Sequence, residues 1–354
     1  MKLLIPAIGC ITYFLTACQT QGANTLSKAP ENDSIIRPVI VTDTVKHDPD
    51  DPAIWINPAD PAASLILGTD KENDGALYVF DLNGKIVEDK VVRDLKRPNN
   101  VDVEYGLVLN GKTVDIAVVT ERFTHKLRIF SLPDMKPVDN GGLDMFVGDT
   151  AFEYRDLMGI ALYKNKKGNV YAIVGRKIGP TDGTYLWQYL LQDNGKGAVE
   201  GKLVRKFGKF SGRKEIEAIA VDDRLGYVYY SDEGFGVRKY YADPEKGNEE
   251  LTVFGTSGYS QDHEGISIYS LTDSTGYILV SDQHVNHFKI YAREGTNGDP
   301  HQHVLLKSLH LSTIESDGSD VTAHKLNSTF PKGLFVVMSD NKTFQYYNWE
   351  DLMK

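Results

Sequence analysis

Six copies of one short pattern recur along the chain at intervals of roughly fifty residues. Each copy has an acidic or polar cluster, an apolar strand-like run, a turn, and a second apolar run that ends in charged or polar residues. Repeats of this length built from short strands are the signature of a β-propeller, in which each repeat forms one blade. The sequence therefore predicts an all-β fold, a six-bladed β-propeller, over residues 35–354. The copies span residues 51–71, 100–122, 156–177, 215–233, 262–283 and 317–341.

The charged residues of each copy fall at the start of its first strand or at the end of its second strand. Because these two strands are antiparallel, both positions lie on the same face of a blade. Closing the blades into a ring should gather these segments around one mouth of the central channel, in a bowl rich in acids. The expected bowl carboxylates are Asp50, Asp51, Asp70, Asp102, Glu217, Asp232, Glu233, Asp262, Glu264 and Asp317.

Three cations, Lys71, Arg122 and Lys177, follow the second strands of the first three blades. Most of the carboxylates belong to blades four to six, so we expect a cationic wall to face an acidic wall. Two such walls would hold a phosphate group between them, with charge-assisted hydrogen bonds on the cationic side. The alternative is that these are ordinary charged residues at exposed strand ends.

So many converging acids must either raise one another's pKa or hold cations. Oxygen ligands in an irregular arrangement suit Ca²⁺, which accepts six to eight of them. For zinc, the bowl lacks cysteine and a strong histidine pair, and we interpret His284 and His287 as residues of a solvated loop. The sequence thus predicts several calcium ions as cofactors.

The last repeat is short of an outer strand, and a strand-like run at residues 35–42 precedes the first repeat. We predict that this run completes the last blade, which ties the two ends of the domain together and removes an exposed sheet edge.

The N-terminus has the pattern of a targeting segment. Lys2 is followed by an apolar stretch at residues 3–15, which is too short to span a bilayer. The run Leu-Thr-Ala-Cys that ends at Cys18 resembles a bacterial lipobox, in which the cysteine carries the lipid. Residues 1–17 are thus predicted as a lipoprotein signal peptide and residues 18–34 as a flexible tether. A plain secretory signal is the alternative.

The residue after Cys18 is Gln19 rather than aspartate, which favours the outer membrane. We therefore expect an exported monomer, periplasmic or at the cell surface, that meets the membrane only through its lipid. The formal net charge of −10 argues against nucleic acid as a partner, because binding to phosphate backbones needs a basic surface. Cys10 and Cys18 are the two cysteines of the sequence, so the domain after the signal has no disulfide.

Several specific motifs follow one another along the chain. They begin with Asp-Asp-Pro-Ala-Ile-Trp at residues 50–55, Thr-Asp-Lys at 69–71 and Asn-Asn-Val-Asp at 99–102, and they continue with Glu217 and Glu233 and then Asp-His-Glu-Gly at 262–265. In this order, from about Asp50 to Trp349, they resemble the motifs of the β-propeller phytases. The first of these motifs is the most specific, and the others gain weight from their order and spacing.

The resemblance implies a six-bladed, calcium-dependent hydrolase of phytate (myo-inositol hexakisphosphate), free or as its calcium complex, that uses a metal-activated water. It implies phosphate-binding and catalytic roles for Lys71, Arg122 and Lys177, and a catalytic role for Glu217. The implied metal ligands are Asp50, Asp51, Asn99, Glu217, Glu233, Asp262, Glu264 and Asp317.

The sequence departs from that family at three positions. Glu72 follows Lys71 where the family has a second lysine, and Met158 stands in the place of a tyrosine. The family also has an aspartate a few residues before the position of Asp317. This sequence lacks that aspartate, and Glu315 is the nearest acid. These changes affect the second phosphate subsite and one calcium ligand.

Two other classes of function remain open at this point. Another six-bladed calcium-dependent hydrolase, acting on lactones or phosphotriesters, would need fewer cations than the sequence supplies. A non-catalytic propeller that binds a partner or a glycan would have no need of the carboxylates, and a fold alone does not decide between functions.

Overall fold

Apolar residues fill the strands of this chain on both faces, as expected for sheets buried between two neighbours. The computed structural model describes residues 31–149 and 151–354. Within them six small sheets form a ring, in which the first strand of each sheet contacts the first strand of the next and the sixth contacts the first. The predicted six-bladed propeller is confirmed.

The chain enters through two strands that precede the first blade, and three blades follow in sequence order. The entry strands are β1 (Glu31–Ile36) and β2 (Ile40–Val41). Blade 1 consists of β3 (Pro49–Trp55), β4 (Leu65–Asp70), β5 (Gly75–Phe80) and β6 (Val92–Leu95). Blade 2 consists of β7 (Pro98–Leu109), β8 (Lys112–Glu121), β9 (Lys126–Leu132), β10 (Lys136–Pro137) and β11 (Leu143–Asp144). Blade 3 consists of β12 (Leu157–Lys164), β13 (Val170–Arg176), β14 (Leu186–Asp193) and β15 (Val199–Phe207).

The remaining blades repeat the same meander, and a short helix ends the described chain. Blade 4 consists of β16 (Ile219–Asp222), β17 (Tyr227–Asp232), β18 (Gly236–Tyr241) and β19 (Thr252–Phe254). Blade 5 consists of β20 (His263–Ser270), β21 (Gly276–Asp282), β22 (His287–Ala292) and β23 (Leu305–Leu311). Blade 6 consists of β24 (Ser319–Thr322), β25 (Leu334–Ser339) and β26 (Thr343–Asn348), followed by α1 (Trp349–Leu352). Short 3₁₀ turns lie at Pro61–Ala63, Glu88–Lys90, Arg122–Thr124, Phe152–Arg155, Pro244–Lys246 and Gln283–Val285.

The core consists of apolar clusters between neighbouring blades. Successive residues of a strand point to opposite faces, so Ile54 packs toward blade 6 whereas Ala53 and Trp55 pack toward blade 2. Tyr229 packs in the cluster between blades 4 and 5, and Phe288 packs in the cluster between blades 5 and 6. Each blade therefore stabilises both of its neighbours, and none has a complete core alone.

The N-terminal strands close the ring, partly as predicted. β2 pairs antiparallel with β26 as the outer strand of blade 6, with Ile40 opposite Tyr346. The part of the prediction that placed Ile35 and Ile36 in the same blade is wrong. They belong to β1, which pairs parallel with β23 as a fifth strand of blade 5. The physical reason is that the outer edge of blade 5 is also free to accept a strand, so the entering chain covers two exposed edges.

β1 begins at Glu31, inside the segment that the sequence assigned to a tether. The predicted signal peptide and lipidated Cys18 lie outside the described residues and stay predictions. Among the residues described, no helix is long and apolar enough to cross a membrane.

Aspartates in the first strands join neighbouring blades through the central channel. Asp51 accepts a hydrogen bond from the Val101 amide at 3.1 Å, and Asp102 accepts one from the Leu162 amide at 2.7 Å. Asp320 closes this series by accepting from the Ile54 amide at 2.8 Å. These side chains line a cavity of about 130 Å³ at the centre of the ring. Their position explains why some acids of the repeat do not reach the bowl.

Stability should depend on pH through Asp102. Burial raises its pKa from 3.8 to about 8, so between these values the folded chain keeps a proton that the unfolded chain releases. The stability that this retained proton gives the folded state is fully present below pH 3.8 and is lost as the pH rises toward 8. We expect Asp102→Asn to flatten the decline of the unfolding free energy over this range, measured by urea denaturation. An unchanged slope would contradict a protonated Asp102.

Candidate active site

A β-bulge interrupts the start of the first strand in four of the blades. The register shifts between Pro49 and Pro52, between Pro98 and Val101, between Leu157 and Ile160, and between His263 and Ile266. A bulge turns side chains out of the ladder and recurs beside active sites. Here the bulged segments carry predicted site residues in blades 1, 2 and 5 and Met158 in blade 3, all at the mouth of the channel.

Two glycines let neighbouring blades approach each other at this mouth. A Cβ atom at Gly318 would lie 2.6 Å from the Asp50 carbonyl oxygen, and one at Gly159 would lie 1.8 Å from the Glu217 carbonyl oxygen. Any side chain at either position would push blade 6 away from blade 1, or blade 3 away from blade 4. The two glycines thus fix how closely the acids of different blades meet.

Most of the predicted metal ligands come together at the mouth, in what we call the acidic cluster. Lys71 Nζ lies 2.6 Å from Asp50 Oδ1 and 2.6 Å from Asp317 Oδ2, so it joins blade 1 to blade 6. Asn99 Nδ2 donates to Asp50 Oδ2 at 3.0 Å. The acidic cluster consists of Asp50, Asn99, Glu217, Glu233, Asp262, Glu264 and Asp317.

Several buried oxygens of the acidic cluster lack a hydrogen-bond partner among the described residues. Buried polar atoms are rarely left unpaired unless a ligand, an ion or water meets them. Both carboxylate and amide oxygens are present, which is the donor set that Ca²⁺ prefers. The cluster therefore fits calcium. The unpartnered atoms are Asn99 Oδ1, Glu217 Oε1, Glu233 Oε1, Asp262 Oδ1 and Glu264 Oε2.

The electrostatics of the acidic cluster also favour a cation. Burial, and then the neighbouring Asp50, raise the pKa of Glu217 well above its usual value. Burial, and then Glu215, raise the pKa of Glu233 to about 9, and burial raises that of Asp317 to about 7 against the pull of Lys71. Such carboxyls become fully ionised near neutral pH only when positive charge is supplied to them.

Asp262 behaves differently from the rest of the acidic cluster. Burial acts to raise its pKa, but hydrogen bonds from Lys214 and His284 outweigh that effect and lower it. His284 Nε2 lies 2.9 Å from Asp262 Oδ2, and its Nδ1 lies 3.0 Å from Glu315 Oε2. His284 thus bridges two acids at the rim instead of standing free in a solvated loop.

The predicted cations lie at the same mouth, but they do not form a wall apart from the acids. Lys71 lies inside the acidic cluster, where burial lowers its pKa and the surrounding carboxylates more than reverse the effect. Lys177 pairs with Glu215 at 2.9 Å. Among the described residues, Arg122 has no carboxylate at ion-pair distance, and its Nε donates to the Leu157 carbonyl at 3.2 Å.

Met158 contacts Arg122 directly, through its sulfur and the Nη2 atom. Both residues are buried, and burial lowers the pKa of the guanidinium, offset in part by Glu217. Met158 therefore meets Arg122 through a sulfur atom, which is a weak hydrogen-bond acceptor.

Four acids that the sequence assigned to the bowl are committed elsewhere. Asp51 and Asp102 face the central channel. Asp70 accepts from the amides of the preceding loop, including that of Asp48 at 2.6 Å. Asp232 accepts from Arg238 at 2.8 Å. Of these four, Asp51 alone is in the predicted ligand set. Its Oδ2 atom accepts the Val101 amide, and its role as a metal ligand stays a prediction.

Glu215 is the site residue that the sequence reasoning missed. Its carboxylate lies with those of Glu217 and Glu233, so that one oxygen of each falls within 4.8 Å of the others. The signal was its position two residues before Glu217, because alternate residues of an extended segment point the same way.

Comparison with known proteins finds similarity over most of this chain. The sequence profile of the Phytase family matches residues 8–348. A 3-phytase of Bacillus subtilis (strain 168) is 30% identical over 321 residues, which cover 86% of this chain and 80% of the relative.

Proposed function

Because this chain belongs to the phytase family, we propose that it hydrolyses the phosphate monoesters of phytate with calcium bound at the acidic cluster. The observation that carries the proposal is the set of buried, unpartnered oxygens that converge at the channel mouth from blades 2, 4 and 5. Phosphate-binding cations border the same oxygens, as hydrolysis of an anionic ester requires.

The residues that would hold calcium are those of the acidic cluster. Calcium, when bound, supplies positive charge that neutralises phosphate and lowers the pKa of water beside it. It also resolves how a chain with a formal net charge of −10 meets a polyanionic substrate, because bound cations reverse the local field.

The three cations would bind and orient the phosphate. Arg122 carries a planar guanidinium of the kind that matches two phosphate oxygens. Its Nε atom donates to the Leu157 carbonyl and its Nη2 atom contacts Met158, but no carboxylate at ion-pair distance in the described chain neutralises its charge. Lys71 and Lys177 approach from either side as point charges. Together they would stabilise the equatorial oxygens of the phosphoryl group during transfer.

Glu217 holds the position from which an attacking water is oriented. Its Oε1 atom is buried, lacks a hydrogen-bond partner in the described residues and would help to hold calcium, while the second oxygen of the same carboxylate would orient a water at the boundary between the acids and the cations. The proposal needs no covalent phospho-enzyme, since the bowl has a carboxylate that would orient an attacking water.

Release of inorganic phosphate from phytate tests the proposal. We expect residues 19–354 to release phosphate in calcium and to lose nearly all activity in excess chelator, with recovery when calcium is restored. Circular dichroism in chelator separates loss of the metal from loss of the fold. Folded protein that releases phosphate equally in chelator would contradict calcium dependence, and no release in calcium would contradict phytate hydrolysis. A lactone assay run beside it tests the other hydrolase class.

A further inference from the structure

We propose that Glu215 is an additional ligand of the calcium site and that Lys177 holds it in place until a cation binds. This inference rests on the proposed function and adds to that function a coupling between cation binding and the release of a phosphate-binding lysine. Glu215 precedes β16 in blade 4, whereas Lys177 follows β13 in blade 3.

The first support is the geometry of three glutamates. One carboxylate oxygen from each of Glu215, Glu217 and Glu233 lies within 4.8 Å of the others, a separation that one ion can bridge. The backbone fixes the arrangement, because the Glu233 amide donates to the Glu215 carbonyl at 3.2 Å.

The second support is independent of the clustering. Glu217 and Glu233 are 7% and 3% exposed, and Oε1 of each has no hydrogen-bond partner in the described residues. Two buried, unpartnered oxygens beside a third carboxylate indicate a ligand at this point, because leaving them unpaired is unfavourable.

The third support is the partner of Glu215. Lys177 Nζ lies 2.9 Å from Oε2 and 3.3 Å from Oε1, so the ammonium meets the same two oxygens that would bind a cation. One carboxylate edge cannot serve both at close range, and the two cations therefore compete for it. A cation that binds Glu215 would release the ammonium group of Lys177. The Lys177 side chain is 43% exposed, so its ammonium group could then contact a phosphate at the mouth.

This competition makes cation binding and phosphate binding cooperative. Binding of Lys177 to phosphate frees Glu215 to bind the cation, and binding of Glu215 to the cation frees Lys177 to bind phosphate. By linkage, each ligand raises the affinity of the site for the other by the same factor.

Calcium binding without substrate tests the inference, measured by isothermal titration calorimetry on the chain from residue 19. We expect Glu215→Gln to weaken calcium binding at least about tenfold, the usual scale for losing a group that supports a metal. Glu245→Gln is the matched control. It removes an exposed Lys167–Glu245 pair of 3.1 Å that joins the same two blades away from the mouth, and it should bind calcium as the wild type does.

Lys177→Met gives a prediction of the opposite sign. Removing the competing ammonium should tighten calcium binding severalfold, whereas a merely structural Lys177–Glu215 pair would leave it unchanged or weaker. Melting in chelator confirms that each variant is folded. If Glu215→Gln is unfolded, Glu215→Asp, which shortens the reach but keeps the charge, should show the same weakening.

The outcomes separate the two proposals. Wild-type chain that binds calcium, together with Glu215→Gln of equal affinity, overturns the role of Glu215 and leaves the proposed function standing. Wild-type chain that binds no calcium overturns the calcium site and this inference with it.

Discussion

Glu217→Gln is expected to lower kcat for phosphate release from phytate by about 10²–10³-fold, the scale for removing one preorganised electrostatic group from an active site. The substitution keeps the size of the side chain but removes the charge that a cation and a water proton require. The fold should persist, because burial raises the pKa of Glu217 and the uncharged form is the less costly one to bury. Steady-state kinetics in saturating calcium provide the measurement.

A buried acid away from the mouth is the appropriate control. Glu104 is also buried, and burial raises its pKa to about 7, but it lies farther along β7 and outside the acidic cluster. Glu104→Gln should retain near-normal kcat. Equal losses in the two variants would indicate a general effect of buried charge, and near-normal activity of Glu217→Gln would remove Glu217 from the catalytic site.

Removing the entry strands should destabilise the ring far more than an ordinary terminal truncation. The Val39 and Thr42 amides donate to blade 6 at 2.8 and 3.0 Å, and the Asp43 amide donates to the Gly84 carbonyl of blade 1 at 2.8 Å. Val45 is buried between these two blades. At about 1 kcal/mol for each hydrogen bond and about 2 kcal/mol for the valine, we expect a chain that begins at residue 46 to be about 5 kcal/mol less stable than a chain that begins at residue 37 and has already lost β1.

Three chains separate the contributions of the two entry strands. A chain from residue 31 keeps both, a chain from residue 37 loses β1, and a chain from residue 46 loses β2 as well. The free energy of unfolding in urea should fall at each step, most steeply at the second. Equal stability of the first and last chains would show that β2 does not close the ring.

The fold was predictable because its signal repeats. Six independent copies of a strand pattern each predict the same blade, and the face on which strand ends meet follows from antiparallel geometry alone. The destination of the entry strands was only half predictable. Both blade 5 and blade 6 have a free outer edge, and the sequence of residues 35–42 does not distinguish them.

The site was less predictable because a bulge changes which way a residue points. Asp50 and Asp51 are adjacent in sequence, yet Asp50 joins Lys71 at the mouth while Asp51 lines the channel. Adjacent residues of a strand point to opposite sides, so one of the two was expected to face away from the bowl. The register shift between Pro49 and Pro52 determines which one does. The same uncertainty misplaced Asp102.

The pairing of charges could not be read from their position in the repeat. Strand ends predict that Lys71 and Lys177 reach the mouth, and they do. Lys71 pairs with Asp317 across the ring closure, and Lys177 pairs with Glu215. Both pairs depend on how closely the blades approach each other, which Gly318 and Gly159 permit. These are distances between parts of the chain remote in sequence.

The assembly of the acidic cluster from several blades has a consequence for how activity arises. Asp50 comes from blade 1, Asn99 from blade 2, Glu217 and Glu233 from blade 4, and Asp317 from the loop that leads into blade 6. No run of two or three blades carries the whole acidic cluster, so fragments of that size should be inactive even where they fold. On the proposed function, catalysis should require a closed ring, and turnover should report the fraction of chains in which the ring has closed.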